Sequence, residues 1–267
     1  MKIWNVLLIS LTPFYLFAQN NLGPRLTAMG NNGAAVTDVW ALQANPSGIT
    51  AVNRPTVSLN YIKHLFSNDI STQALVVVVP IKNNFIGAGF QRYGFAEYTE
   101  SKIGFTYAKR FGNKLSIALN GNYHQLKIAN YGSTAGFSVD VGALYHLGKQ
   151  FTFGAFISNP SKQKFSSSSE IFIEIPTCLN IGAAYFPSDK VLIATSITKS
   201  LNQSIDVTVG IDYKIINVLS LRGGLSANPF KQYAGFGINF KKFLLDMATA
   251  YDASLGYAPQ IAIGYVF

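Results

Sequence analysis

From Pro55 onward, bulky apolar residues alternate with small or polar ones in runs broken by turn-forming clusters. In SKIGFTYAKR, Ile103, Phe105 and Tyr107 share one side, and Gly104, Thr106 and Ala108 share the other. KLSIALNGNYH sets Leu115, Ile117 and Leu119 against Ser116, Ala118, Asn120 and Asn122. YAGFGINF sets Phe236, Ile238 and Phe240 against Gly235, Gly237 and Asn239. Successive side chains of a strand point to opposite faces, so each run predicts a strand with one bulky greasy face and one small or polar face. The pattern predicts fourteen strands, at 55–66, 70–81, 84–93, 99–110, 114–126, 135–147, 149–157, 176–186, 189–199, 204–214, 218–226, 231–240, 243–252 and 259–267. Most have the length that crosses a bilayer, about 9–11 residues, rather than the 5–6 common in soluble strands.

A soluble barrel would pack bulky aliphatics inside. Here the bulk points away from the small and polar set, and the predicted fold is all-β: a 14-stranded antiparallel transmembrane β-barrel with large apolar residues against lipid. An even strand number brings both barrel ends to one side. Connections after even-numbered strands are tight, around Lys82-Asn83, Gly112-Asn113, Gly148, Pro187-Ser188, Asn217 and Lys242. Those after odd-numbered strands are longer, such as FAEYT, KIANYGSTAG and SNPSKQKFSSSSEIFIEI. Outer-membrane barrels keep short turns in the periplasm and longer loops outside, so the first strand is expected to run outward. Aromatic residues near strand ends, among them Tyr61, Tyr93, Tyr107, Phe111, Tyr145 and Tyr213, would form interfacial girdles.

Composition agrees with this reading. Charged residues make up 12% of the chain, against about a quarter in soluble domains. The single cysteine, Cys178, excludes a disulfide framework within the chain. Residues 1–18 combine Lys2, the apolar run WNVLLISLTPFYLF and a small Ala18, the pattern of a cleaved secretory signal peptide. The expected location is the outer membrane of a Gram-negative-type bacterium, with outer-membrane lipid as the surrounding partner. The formal charge of +9 sits mostly at strand ends and forms no basic stripe interleaved with aromatics, which argues against nucleic acid. The closing IAIGYVF places Ile261, Ile263, Tyr265 and Phe267 on one face. It resembles the terminal signal, here Tyr265 and Phe267, read by the outer-membrane insertion machinery.

Residues 19–54 have a different texture. RLTAMGNNGAAVTDVWALQANPSGI mixes small residues with a helix-like VTDVWALQA that starts near Asp38 and stops at Asn45-Pro46, with Gly48 completing a turn. Eight strands already make a barrel that side chains can fill, so fourteen leave room for this segment as a plug. The predicted organisation is signal peptide 1–18, plug 19–54 and barrel 55–267.

The positions Arg25, Met29, Gly30, Gly33, Asp38, Asn45, Pro46 and Gly48, placed just after a signal peptide, resemble the N-terminal motif of FadL-like outer-membrane barrels, especially the PorV/PorQ branch associated with type IX secretion. Ser47 stands where that motif usually has Ala. The resemblance implies one of two roles. The first is an accessory or docking subunit of a cell-envelope complex, with envelope or secretion-system proteins as partners. The alternative is a transporter or diffusion channel for small hydrophobic compounds. The modest loops, too short for the large ligand-capturing loops of FadL-type transporters, place the docking role first.

Catalytic chemistry is not expected. His124 shares the inward face with Asn120 and Asn122, and neither it nor His64 or His146 belongs to a recognisable nucleophile or metal-ligand set. No phosphate loop or dinucleotide fingerprint is present, so no enzyme activity, cofactor or metal is expected. The inward faces do carry Asp140, Asp206, Asp212, Arg222 and Asp246. Pairing of Arg25 or Arg222 with one of these aspartates would tie the plug to the wall.

Overall fold

The computed structural model describes residues 21–64, 69–165, 175–201 and 203–267. The signal-peptide reading of 1–18 and most of the Ser-rich stretch at 165–170 lie outside these residues. The chain begins with helix α1 (Gly23–Ala28), followed by two 3-10 helices at Val39–Gln43 and Pro46–Ala51. Fourteen strands follow: β1 (Thr56–Lys63), β2 (Ser71–Ile81), β3 (Asn84–Gly94), β4 (Tyr98–Phe111), β5 (Leu115–Ile128), β6 (Gly132–Leu147), β7 (Phe151–Ser158), β8 (Cys178–Ser188), β9 (Val191–Ser200), β10 (Asp206–Ile216), β11 (Leu219–Ala227), β12 (Phe230–Phe240), β13 (Phe243–Asp252) and β14 (Gly256–Val266). Each pairs antiparallel with its sequence neighbours, and β1 pairs with β14 from Thr56 opposite Val266 to Ile62 opposite Gln260. The sheet is therefore a closed barrel.

All fourteen predicted strands are present, with ends displaced by a few residues. The largest departure concerns the outer connections. β5 and β6 stay paired to Ile128 opposite Gly132, so KIANYGSTAG contracts to a turn of Ala129, Asn130 and Tyr131. Asn130 supplies the left-handed residue that the turn needs, at φ 64°, a conformation Asn tolerates. Polar Lys127 and Ser133 look like loop residues in sequence but continue the ladder opposite one another. Between β3 and β4 only Phe95, Ala96 and Glu97 remain outside the strands. The inequality in loop length is smaller than the sequence predicts, and the connection from Asn159 to Thr177 carries most of it.

The two faces divide as the alternation requires. Phe105 and Phe137 are 67% and 70% exposed on the outside, while Thr106 and Ser138 beside them are buried. Tyr61, Tyr107, Phe111, Tyr145 and Tyr213 are exposed near strand ends. Tyr93 departs from the predicted girdle: it lies on the inward face of β3 and meets the His64 ring edge-on at 5.4 Å. Inside, one apolar patch joins plug to wall, with Leu26, Met29, Trp40, Leu42 and Ile49 packed among Val76, Val78, Phe85, Leu144 and Leu192. This patch explains the valine run of β2, which is apolar on both faces because one meets lipid and the other meets the plug.

Replacing Phe105 by Arg is expected to cost about 2–4 kcal/mol of stability, the penalty of a cation on a lipid face near the midplane. Thr106→Ala, on the inward side, loses only the hydrogen bond to Asn120, worth about 1 kcal/mol. Denaturant unfolding in lipid vesicles ranks the two variants, and the opposite order would mean the faces are reversed.

Candidate functional site

The plug is three short helical turns held against different parts of the wall. In α1, Pro24 sits in the first turn, where its fixed φ is pre-set and its missing N–H costs nothing. The sequence showed no helix here. α1 packs against β11 to β14. The helix expected within VTDVWALQA starts near Asp38 as predicted but is a five-residue 3-10 turn, and Asp38 Oδ1 accepts from Trp40 N at 2.9 Å. β-branched residues enter helices reluctantly, and a side-chain cap at Asp38 fixes the start. Asn45 and Pro46 end that turn and begin the next, because Asn45 Oδ1 accepts from Ser47 N and Ser47 Oγ. The Ser47 hydroxyl is thus satisfied, which accounts for a polar residue at a fully buried position.

Several inward glycines of the wall are sockets for the plug. A Cβ on Gly210 would stand 2.1 Å from the Met29 carbonyl oxygen, and one on Gly154 would stand 1.9 Å from that of Ala34. A Cβ on Gly224 would reach 2.2 Å from Gly30 N, and one on Gly142 would reach 2.1 Å from Asn45 Oδ1. Met29, Gly30 and Asn45 of the N-terminal motif therefore lie where the wall has given up its side chains. Gly33 and Gly48 act within the plug, seated against Ala44 and Ala41.

A chain of alternating charges crosses from plug to barrel. Arg25 Nη1 bonds Asp38 Oδ2 at 3.0 Å and the Thr37 carbonyl at 3.1 Å, while Arg25 Nε bonds Asp212 Oδ2 at 3.0 Å. Arg222 Nε stands 3.3 Å from the same Asp212 oxygen, a charge contact without hydrogen-bond alignment, and Arg222 Nη1 bonds Asp246. Two guanidiniums thus hold three carboxylates. Arg25 and Asp38 belong to the plug, and Asp212, Arg222 and Asp246 come from β10, β11 and β13.

Other sequence-predicted residues separate from this chain. Asn120 and Asn122 each donate to Asp140 Oδ2, at 3.1 and 2.7 Å, and Asn159 N donates to Asp140 Oδ1 at 3.2 Å. Asp140 is held by amides and pairs with no cation among the described residues. Asp206 lies at the rim, accepting from the backbone of Ala227 and Asn228, and caps the β11–β12 turn. Tyr265 and Phe267 stack edge-on at 5.0 Å, and Phe267 N donates to Pro55 O, so both close the β1–β14 seam. Asn45 Nδ2 reaches Ala34 O at 2.7 Å and Ala143 O at 3.0 Å, pinning the second turn to β6. Sequence reasoning missed Trp40, whose Nε1 donates to Ser58, Thr50, whose hydroxyl meets Ser116, and the fully buried Asn159. Nothing local marks such contacts, which join residues distant along the chain.

Beside the plug, at the tight-turn end, lies a cavity of about 610 Å³. Its lining combines the charge chain of Arg25, Asp38, Asp212, Arg222 and Asp246 with apolar Trp40, Val52, Phe186, Leu192, Leu244 and Val266, and Leu192 stands directly opposite Asp212 in the ladder. It opens among Arg54, Asp189, Lys190 and Lys214. Among the described residues no His, Cys, Asp and Glu cluster could hold a metal ion.

Asp212→Ala removes the carboxylate shared by both arginines, and is expected to cost about 3–5 kcal/mol, as for a broken buried pair. Gly154→Val, which forces a side chain onto the Ala34 carbonyl, is expected to loosen the second half of the plug instead. Hydrogen exchange resolved over residues 21–52 checks both, with protection falling first in 23–38 for one variant and in 34–51 for the other.

No protein-family model matches the chain, and no curated protein matches it in sequence. Solved structures do resemble it. The CymD monoaromatic hydrocarbon channel aligns with a TM-score of 0.70 at 14% identity, over 92% of this chain and 97% of that one. The Pseudomonas putida toluene transporter TodX aligns at 0.69 and 12%, over 91% and 97%. A Pseudomonas aeruginosa FadL homologue aligns at 0.61 and 12%, over 93% and 98%. At such identities the likeness concerns the fold, a closed antiparallel 14-stranded barrel that this chain shares with those proteins.

Proposed function

We propose that this protein is an outer-membrane channel for small hydrophobic compounds, with residues 21–52 closing its bore. The observation that carries the reading is the cavity beside the plug. Its volume falls within the 300–1,000 Å³ usual for small-molecule sites, its apolar residues Trp40, Val52, Phe186, Leu192 and Leu244 offer contacts to an apolar ligand, and the charges of Arg25, Asp38, Asp212, Arg222 and Asp246 are already paired with one another. The fold shared with a hydrocarbon channel and a toluene transporter supports the same reading. It moves transport ahead of the docking role that the short loops favoured in the sequence. The PorV/PorQ-like role in type IX secretion rests on the motif resemblance from Arg25 to Gly48 and on the modest loops. Non-enzymatic action fits the channel reading.

Trp40 gives a direct probe, because the only other tryptophan, Trp4, falls in the segment read as the signal peptide. Toluene titrated into the detergent-purified protein is expected to change Trp40 emission saturably, and Leu244→Arg is expected to abolish the change. Vesicles containing the protein should take up toluene faster than empty ones. No saturable change and no added flux, with an envelope protein co-purifying, would establish the docking role instead.

A further inference from the structure

The charges of this chain are unevenly shared between the two ends of the barrel. Five of the six tight turns carry lysine: Lys82, Lys114, Lys149, Lys190, and the pair Lys241 and Lys242. The last turns of β4 and β10 add Lys109, Arg110 and Lys214, and Arg54 stands at the entry to β1. Against these ten cations the rim has one carboxylate side chain, Asp189, among the described residues. That surplus equals the formal charge of the whole chain, +9. At the opposite end the described residues hold eight cations and five carboxylates, a surplus of three against the nine of the tight-turn rim. No rim cation has an ion pair among the described residues.

Three of these lysines lie at the lipid-facing edge. Lys109 Nζ stands 5.3 Å from the Phe111 ring centre, Lys241 Nζ 5.3 Å from that of Phe240, and Lys242 Nζ 5.7 Å from that of Tyr265. Phe111 and Phe240 are exposed on the outer wall, and Tyr265 follows Ile261 and Ile263 on that wall. An aromatic girdle ring sits where hydrocarbon meets headgroup. A cation laid over it is at the depth of the lipid phosphates. A soluble acidic protein would meet the turn tips, and would give no reason for ammonium groups to lie against girdle aromatics.

We propose that the tight-turn rim is a binding surface for anionic phospholipid headgroups in the leaflet that it meets. The lysines form a ring matched to lipid phosphates, and this ring seats the barrel at a fixed depth and retains a shell of acidic lipid. The attraction is short-ranged, since salt screens it within about 8 Å at physiological ionic strength. Only the headgroup layer beside the rim is therefore selected. The proposal needs the barrel to span a bilayer but does not need it to transport anything.

Spin-labelled phosphatidylglycerol and phosphatidylcholine, each added to vesicles holding the protein, measure the lipid fraction restrained at the barrel wall. The expected result is a preference for phosphatidylglycerol of about threefold or more, falling towards none in high salt. Lys109→Gln, Lys241→Gln and Lys242→Gln together are expected to remove at least half of it, whereas Lys127→Gln, Lys162→Gln and Lys199→Gln at the other end leave it unchanged. These side chains are exposed and half-exposed surface groups, and heat-modifiable gel mobility reports whether each variant folds. The salt titration on the unaltered protein tests the idea even if one does not. Equal retention of the two lipids would overturn the proposal, as would a preference lost only with the far-end lysines. Capture of an acidic periplasmic protein by the rim without lipid preference would overturn it too. Toluene flux is measured separately, so failure of the channel reading would leave this result standing.

Discussion

A chain crossing lipid can satisfy its backbone N–H and C=O groups only against itself. With strands, the solution is a sheet without edges, and here closure is made by the β1–β14 seam. Much else in the molecule follows from that closure. Fourteen strands around a ring enclose more volume than one layer of side chains can fill. An empty bore of that width would be an open hole, so the enclosed space has to be occupied by the same chain. The N-terminal segment occupies much of it, and the wall presents glycine at positions 154, 210 and 224, where plug main chain comes close. Inward glycines such as Gly154, Gly210 and Gly224 are thus the imprint of the plug.

The same constraint explains why a charge chain is found inside. The bore is neither lipid nor bulk water, and an ion pair there recovers only part of its desolvation cost. Five charged groups are an inefficient way to gain stability, but a good way to fix position. Asp212 meets Arg25 and Arg222 through one oxygen, and Asp38 both caps a turn and binds Arg25. A plug displaced by one residue would leave several of these groups unpaired at once. Apolar packing of Leu26, Leu42 and Ile49 has no comparable directional preference. Packing supplies the affinity of the plug for the wall, and the charges supply its register.

The barrel was readable from sequence because its signal is periodic and local. Each strand announces its lipid face independently, and fourteen announcements agree. The plug was readable as a segment, and its motif residues Arg25, Asp38 and Asn45 do bridge plug to plug or plug to wall. What escaped was pairing between distant positions. Asp140 and Asp212 look alike on inward faces, yet one is held by three amide N–H groups and the other by two guanidiniums. Asp206 has the same parity and leaves the bore, since its strand ends there and its carboxylate caps a turn. Tyr93 sits at a strand end like the girdle tyrosines, and only parity counted from Phe85 shows that it faces inward. α1 was invisible because a six-residue helix started by Pro24 has no room for a periodic stripe.

The two halves of the plug are held by different chemistry, and this bears on how a ligand could pass. α1 and Asp38 are fixed by ions at the edge of the cavity, where a passing molecule and its water can compete with them. The turn after Asn45 is fixed by amide bonds to the strand backbone at Ala143 and to the plug backbone at Ala34, and by packing against β3, β4, β5 and β6. Nothing charged holds that half, and the cavity does not border it. A small apolar molecule moving past Trp40 would need the ionic half to yield while the amide half stays in place. On the channel reading proposed above, the barrel would open beside its plug without expelling it, and the closed state would be recovered as Arg25 returned to Asp212.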